Sequence, residues 1–330
     1  MKKSLMTLGV LALFVLMAYG QEKKFALYSV AFYNMENLFD TIHDEGKNDY
    51  EYLPNGTNQW NTMKYKAKLK NMSEILSMLS TDKLPMGPAI IGVSEIENYR
   101  VLEDILKQPV LADRGYQYVH YEGADQRGVD CAFFYNPKLF ELTNSKLVPY
   151  VYINDTVHKT RGFLIASGNI AGEKMHFIVN HWPSRAAASP ARERAGEQVR
   201  AIKDSLLRED SAAKIVIMGD MNDDPMDKSM AVALGAKRKP ADVGPTDLYN
   251  PWWDTLKKGY GTLMYKGKWN LFDQIVFTGN LLGTDRSTLK FYKHEIFRRD
   301  FMFQKEGKYK GYPKRTQAGG VWLNGYSDHL

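Results

Sequence analysis

The sequence contains one cysteine, Cys131, among 330 residues. An internal disulfide is therefore excluded, and a domain of this size can do without such staples. One cysteine and the absence of a His-Glu-x-x-His spacing argue against structural zinc. No Gly-x-Ser-x-Gly elbow appears, so the usual serine hydrolase is excluded as well. The stretch "GTLMYKGKW" resembles a nucleotide phosphate loop only superficially, because its glycines are one residue too far apart and no Ser or Thr follows Lys268. Beyond residue 20 no run is long and apolar enough to cross a bilayer. Repeats, low-complexity tracts and Pro/Gly/Ser linkers are also missing.

What is present suffices for a sizeable core, with 44% hydrophobic and 12% aromatic residues. The first twenty residues, "MKKSLMTLGVLALFVLMAYG", combine Lys2 and Lys3, an apolar run and small residues at Ala18 and Gly20. That pattern predicts a secretory signal cleaved after Gly20. A membrane anchor is the alternative, but the run is shorter than the roughly 18 to 20 residues that span a bilayer. The expectation is residues 1–20 as signal and 21–330 as a single domain, secreted or periplasmic. No stable protein partner and no transmembrane anchor are implied, and a monomer is expected.

The formal charge is +6, and loss of Lys2 and Lys3 lowers it by two, to +4. Residues 291–315 concentrate it, with eight Lys/Arg against three Asp/Glu and seven interleaved aromatics. Such a segment suits a polyanion and stacking on bases, or else is a solvated loop whose aromatics pack inward.

Strand-like apolar runs recur as "FALYSVAFYN", "AIIGVSE", "VDCAFFYN", "FLIASGNI", "MHFIVNHW", "KIVIMGDMN" and "FDQIVFTG". Leu69, Met72, Ile75, Leu76 and Leu79 keep helical spacing, as do Ala195, Val199, Ile202 and Leu206. The alternation of Lys64, Lys66, Lys68 and Lys70 has a strand period, which leaves the start of the first helix open. Many strands interrupted by few helices predict an α+β layered sandwich rather than a strictly alternating α/β wheel.

Several apolar runs finish on polar residues: Asn34 and Glu36, Glu95, Asn180 and His181, Asp220 and Asn222. Side chains at i and i+2 of a strand share a face, so Asn34 with Glu36, and Asp220 with Asn222, are expected to project as pairs. Any single case reads as a turn, and "NDDP" reads so too. Together they predict one pocket rich in carboxylates, amides and a histidine. Such a set suits a hard cation, Mg²⁺ first, which takes one or two carboxylates plus phosphate oxygens. Arg185 and Arg192 stand nearby as phosphate clamps or surface ion pairs.

"YNMEN", "GVSEIEN", "NHWPSR", "VIMGDMND", "FDQIVF" and "YSDHL" occur in the order found in the endonuclease/exonuclease/phosphatase superfamily, and the chain resembles its members from Phe25 to Leu330. The resemblance implies a four-layered α/β sandwich of two packed mixed sheets flanked by helices. It also implies a metal-dependent phosphodiesterase or phosphatase site. By the same resemblance Glu95 is the principal Mg²⁺ ligand (with Mn²⁺ or Ca²⁺ as substitutes), Glu36 and Asp328 lie at the metal, and Asn34 lies near metal and phosphate. Asp220 orients or deprotonates the attacking water, and Asn222 bonds phosphoryl oxygens. His329 is the catalytic histidine, held by Asp273. His181 corresponds to the second histidine of deoxyribonuclease-like members, with Asp130 as the carboxylate that would raise its pKa.

The function so implied is a secreted Mg²⁺-dependent nuclease acting on DNA or RNA. A phosphatase or a sphingomyelinase-like phospholipase uses the same core, and a non-catalytic binding module is the alternative from another class. Ser327 is expected to steady a turn rather than act as nucleophile. The family's motif at Asp328-His329 opens a last core strand. This sequence stops at Leu330, so the chain is either clipped or holds His329 with less structure than usual.

Overall fold

The computed structural model describes residues 25–153, 155 and 157–330. The expected signal at residues 1–20 lies outside them. Along the chain run β1 (Val30–Leu38), α1 (Thr62–Ser77), β2 (Ile90–Ile96), α2 (Tyr99–Leu106), β3 (Gln117–His120), β4 (Asp130–Tyr135), β5 (Glu141–Val148), β6 (Phe163–Ile170) and β7 (Glu173–His181). There follow α3 (Ser189–Glu209), β8 (Lys214–Asp220), β9 (Ala236–Lys237), β10 (Leu248–Tyr249), α4 (Trp253–Lys257), β11 (Leu263–Tyr265), β12 (Lys268–Asn270), β13 (Asp273–Thr278), β14 (Gln317–Ala318) and β15 (Val321–Trp322). Each of the seven apolar runs contains a strand, and their lack of polar alternation fits strands covered on both faces.

One sheet has the order β1-β2-β4-β3 and the other β5-β6-β7-β8-β13-β10-β9, each mixing parallel and antiparallel pairs. They pack face to face through Ile90, Phe133, Phe177, Val179, Val216, Met218 and Phe277. At Gly92 a Cβ would stand 2.6 Å from Met218 Sδ, so the sheets approach where a side chain is missing. The outer face of the smaller sheet packs Ile91 and Val93 on Leu69, Met72, Ile75 and Leu76 of α1 and on Val101 and Leu102 of α2. The outer face of the larger packs Ile165, Ile178, Ile215 and Ile217 on Ala195, Val199 and Leu206 of α3. The result is the expected four-layered α/β sandwich. No helix among the described residues is long and apolar enough to cross a membrane.

The lysine alternation does not delay α1. Asn61 caps it, its side chain accepting from Lys64 N–H at 3.1 Å. Tyr65, Lys68, Leu69, Met72, Ile75 and Leu76 form one buried stripe, so Lys68 belongs to the inward face. Its ammonium donates to Thr316 Oγ1 and to Tyr326 O, which satisfies a cation that could not otherwise be buried.

Candidate active site

The register of the larger sheet fixes the centre of the site. β7 and β8 run parallel with His181 opposite Asp220, and β8 and β13 run antiparallel with Asp220 opposite Asp273. Directly opposed residues share a face, so three strand ends present His181, Asp220 and Asp273 in one row. Gly219, just before Asp220, has φ +157°, and a Cβ there would stand 2.2 Å from Asn180 O. Only glycine lets β8 lie that close to β7 at this point.

The C-terminal residues close over this row. His329 Nδ1 lies 2.6 Å from Asp273 Oδ2, and its Nε2 lies 3.9 Å from Asp220 Oδ2. Ser327 Oγ donates to Asn34 O at 2.8 Å and accepts from His329 N–H at 3.1 Å. His329 also forms a bridge with Leu263, and Leu330 N–H donates to Thr262 O at 2.9 Å. The histidine is thus held by β11 and its approach.

The smaller sheet arrives with interrupted strands. The β1–β2 register shifts between Asn34 and Leu38, and the β2–β4 register shifts between Ser94 and Ile96, at Glu95. Glu36, Asn37 and Glu95 have φ of 46°, 50° and 58°, a left-handed conformation that costs on the order of 1–3 kcal/mol each and persists only where packing enforces it. These irregularities aim Glu95 at the row. Asn34 Nδ2 donates to Glu95 Oε1 at 3.2 Å and to Asp220 Oδ2 at 3.0 Å, which ties the two sheets together. Asn37 N–H donates to Glu95 Oε2 at 2.9 Å. Glu95, His181 and Asp220 each bring a ligand atom within 4.8 Å of the others.

The charges are poised by burial. Burial, opposed by His329 and reinforced by Asp273, pushes the Asp220 carboxyl up to about 7. Burial alone would depress His329, but Asp273 first, then Asp220 and Asp328, hold it well above the ordinary value. His181 moves the other way: burial, then Arg161, Arg127 and His329, push it well below the ordinary value. Those directions favour the charged form of the imidazole at 329 and the neutral form at 181.

Several expectations need correction. Asp130 does not serve His181. Its Oδ2 lies 3.1 Å from His120 Nε2 and accepts from Gly123 N–H, because β4 pairs with β2 and β3 in the other sheet. His181 Nδ1 has no hydrogen-bond partner among the described residues, and burial, followed by the nearby cations, lowers its pKa rather than raising it. Glu36 does not pair with Asn34 across one strand face, since the left-handed backbone breaks the two-residue period. Its oxygens accept from Arg315 Nε at 2.9 Å and Thr316 N–H at 2.6 Å, with Lys68 Nζ 3.8 Å away. Asp328 Oδ2 lies 3.0 Å from Arg315 Nη2. Arg315 thus stands between the two carboxylates assigned to the metal. Burial and then Asp328 still push Glu36 up to about 7.

Asn222 has φ 51°, donates its N–H to Asp220 Oδ1 at 2.9 Å and its Nδ2 to Trp182 O at 3.0 Å. It braces Asp220 instead of projecting beside it. Arg185 is no free phosphate clamp: it pairs with Asp223, Asp224 and Asp227 at 3.3, 3.2 and 2.8 Å, over the Phe272 ring. Arg192 is likewise ion-paired to Asp223, at 2.8 Å.

Sequence reasoning missed Arg315, Lys68, Asn37 and Arg161. Only Arg315 carried a signal, as the end of the basic segment. Beside it a cavity of about 210 Å³ is lined by Tyr52, Asn58, Trp60, Gln317 and Gly319–Gly320.

The donor set fits a hard divalent cation. Glu95 is the one carboxylate of its cluster reachable from solvent, at 15% side-chain exposure, while His181 Nδ1 and Asp273 Oδ1 are buried polar atoms left without partners among the described residues. Burial pushes the Asp220 carboxyl toward protonation, and a cation beside it would restore its charge.

The sequence matches, over residues 29–330, the model of a family described as Endonuclease/Exonuclease/phosphatase family. No curated protein matches it. Among solved structures it is similar to D. rerio TDP2 humanized by 14 mutations, at 14% identity, covering 76% of this chain and 83% of that one with TM-score 0.49. It is also similar to the human Nocturnin catalytic domain with bound sulfate anion (17% identity, 58% and 69% covered, TM-score 0.43). A third is ANGEL2, a 2',3'-cyclic phosphatase (11% identity, 65% and 74% covered, TM-score 0.49).

Proposed function

The chain belongs to the endonuclease/exonuclease/phosphatase family of metal-dependent phosphodiester hydrolases, and on that premise we propose that it is a monomeric, exported nuclease that cleaves DNA or RNA with Mg²⁺ at Glu95. The observation that carries the reading is the Asp273–His329–Asp220 row set against Glu95 and Asn34. A cation bound at the Glu95 carboxylate would offset phosphate charge as more develops in the transition state.

Asp220, with a pKa near neutrality, accepts the proton of the attacking water. The water oxygen bonds to phosphorus as the bond to the leaving oxygen breaks, and that oxygen is protonated from solvent. His329, kept cationic by Asp273, and the neutral His181 donate to the phosphoryl oxygens. Asn34 and the Asn222 N–H hold Asp220 in place throughout.

The test is to incubate the purified protein with Mg²⁺ and, separately, plasmid, RNA, sphingomyelin and inositol phosphates. Cleavage of plasmid or RNA that stops on chelation is the expected result. Release of phosphate or phosphocholine with both nucleic acids intact would overturn the nuclease reading in favour of a phosphatase or phospholipase. Inertness toward all four would favour a binding module. Export is tested by the N-terminus of protein recovered outside the cytoplasm: Gln21 supports it, and an intact Met1 contradicts it.

A further inference from the structure

Two segments left without a role by the catalytic centre stand side by side at its edge. The first is the superficial phosphate-loop stretch. β11 and β12 form a hairpin whose turn is Lys266-Gly267, with φ of 48° and 78°, as a two-residue turn of the I′ type requires. Its base is the catalytic edge itself, because Leu263 bridges to His329 and Asn270 Oδ1 accepts from Arg185 at 3.3 Å. The second comes from the basic segment. Phe303 bridges to Pro313, Gln304 N–H donates to Tyr312 O, and Gly311 N–H donates to Gln304 O, the last two both at 2.8 Å. This loop returns two residues later to Arg315 beside Glu36. The two hairpins are joined by Gly267 N–H donating to Tyr312 Oη at 2.6 Å.

Beyond Arg315, the cations of the basic segment include one that is enclosed and three that stand free at the loop tip. Arg298 is enclosed by the rings of Tyr260, Trp269 and Phe303 at 5.0 to 5.2 Å, which makes it packing. Lys305, Lys308 and Lys310 are exposed at the loop tip, next to exposed Lys266 and Lys268 of the other hairpin. Only Glu306 opposes these five charges within the two tips. Tyr265 and Tyr309 are 61% and 52% exposed, with Lys266 and Lys308 over their rings. Neither tip exposes an aliphatic side chain or a tryptophan, so neither carries the apolar anchor that insertion at a lipid surface uses.

We propose that the two hairpins form one arm that grips the sugar-phosphate backbone of a polynucleotide beside the scissile bond. Three strand residues at about 3.3 Å each place Lys266 on the order of 10 Å from the Leu263–His329 bridge, about three rises of a stacked strand. Exposed lysines neutralise phosphates without reading sequence, and the two tyrosines offer faces to unstacked bases. The inference rests on the nuclease reading above and assigns it a substrate longer than a dinucleotide.

The test compares wild type with two charge-reversed proteins, Lys266→Glu/Lys268→Glu and Lys305→Glu/Lys308→Glu/Lys310→Glu. Circular dichroism checks the fold, and the milder set Lys305→Gln/Lys308→Gln/Lys310→Gln serves if reversal unfolds the chain. Affinity for a fluorescein-labelled 20-mer is read by anisotropy across a salt series. Turnover of bis(p-nitrophenyl) phosphate is read in parallel. The arm predicts at least a tenfold weaker Kd, unchanged small-substrate turnover, and a salt slope smaller by about 0.7 to 0.9 for each phosphate no longer neutralised. Equal affinity and equal salt slope in all proteins would overturn it. So would arm-dependent binding to phosphatidylserine vesicles without arm-dependent binding to the oligonucleotide. Arm-dependent oligonucleotide binding with no cleavage by wild type would uphold the arm and sink the nuclease reading instead.

Discussion

At the catalytic end the larger sheet presents His181, Asp220 and Asp273 in one unbroken row of paired strands, whereas the smaller sheet reaches the same place through two interrupted strands. The regular side sets fixed spacings by register alone, and those spacings suit groups that pass protons. The irregular side turns a carboxylate out of its strand face at the expense of left-handed backbone at Glu36, Asn37 and Glu95. Asn34 joins them by bonding to Glu95 and Asp220 at once. On the proposed mechanism, acid–base groups come from the ordered sheet, and the principal cation ligand comes from the strained one.

The largest expected effect removes the histidine that closes over the ordered side. His329→Ala takes away the cation seated on Asp273 and Asp220 and should lower kcat by roughly 10²- to 10³-fold, the loss typical of one donor to a developing oxyanion, with the circular dichroism spectrum unchanged. A rate close to that of wild type would remove His329 from the chemistry.

The strained side is broken by Glu95→Gln, which should raise the Mg²⁺ concentration for half-maximal activity by at least roughly 10- to 100-fold, the effect typical of removing a group that merely supports a ligand. Glu95→Gly separates charge from strain. Both variants lose activity, but glycine accepts φ 58° freely and should melt higher than glutamine. Equal melting temperatures would mean that no strain is stored there.

A smaller effect sharpens the contrast between the two histidines. Asp273 is the chief charge holding His329 up, so Asp273→Asn should lower its pKa. The alkaline limb of the kcat/KM profile then moves to lower pH; a limb that stays put would detach it from His329.

The smallest effect concerns stability in the absence of metal. The folded-state carboxyls of Asp220 and Glu36 are raised from 3.8 and 4.5 to about 7. The folded protein therefore holds more protons than the unfolded chain between about pH 4 and 7, and stability falls as pH rises through that window. Thermal melting of metal-free protein should drop across it, and Mg²⁺ should raise Tm more above that window than within its acid half. A flat profile would contradict the burial of both groups.

The layered fold was legible because the buried strands are continuous apolar runs and the helices keep their stripes. Asn34, Glu95, His181 and Asp220 were legible as polar residues closing such runs, Asp273 and His329 through the family motifs, and the structure brings all six together. Lys68 was misleading because a buried, hydrogen-bonded lysine looks like a surface one in sequence. The Glu36–Arg315 and Asp130–His120 pairs were hidden for a different reason. The first depends on backbone that leaves the strand conformation, and the second on a sheet order that pairs distant strands. Neither leaves a trace in local periodicity.

The central claim is that the two sheets build one catalytic unit, and a double-mutant cycle on kcat tests it most directly. Glu95→Gln removes the contribution of the strained sheet, Asp220→Asn that of the ordered one, and the third protein carries both. Groups that act as a unit are strongly non-additive, so the double variant should be about as slow as the worse single variant. Losses that simply multiply would mean two independent contributions and would contradict the account.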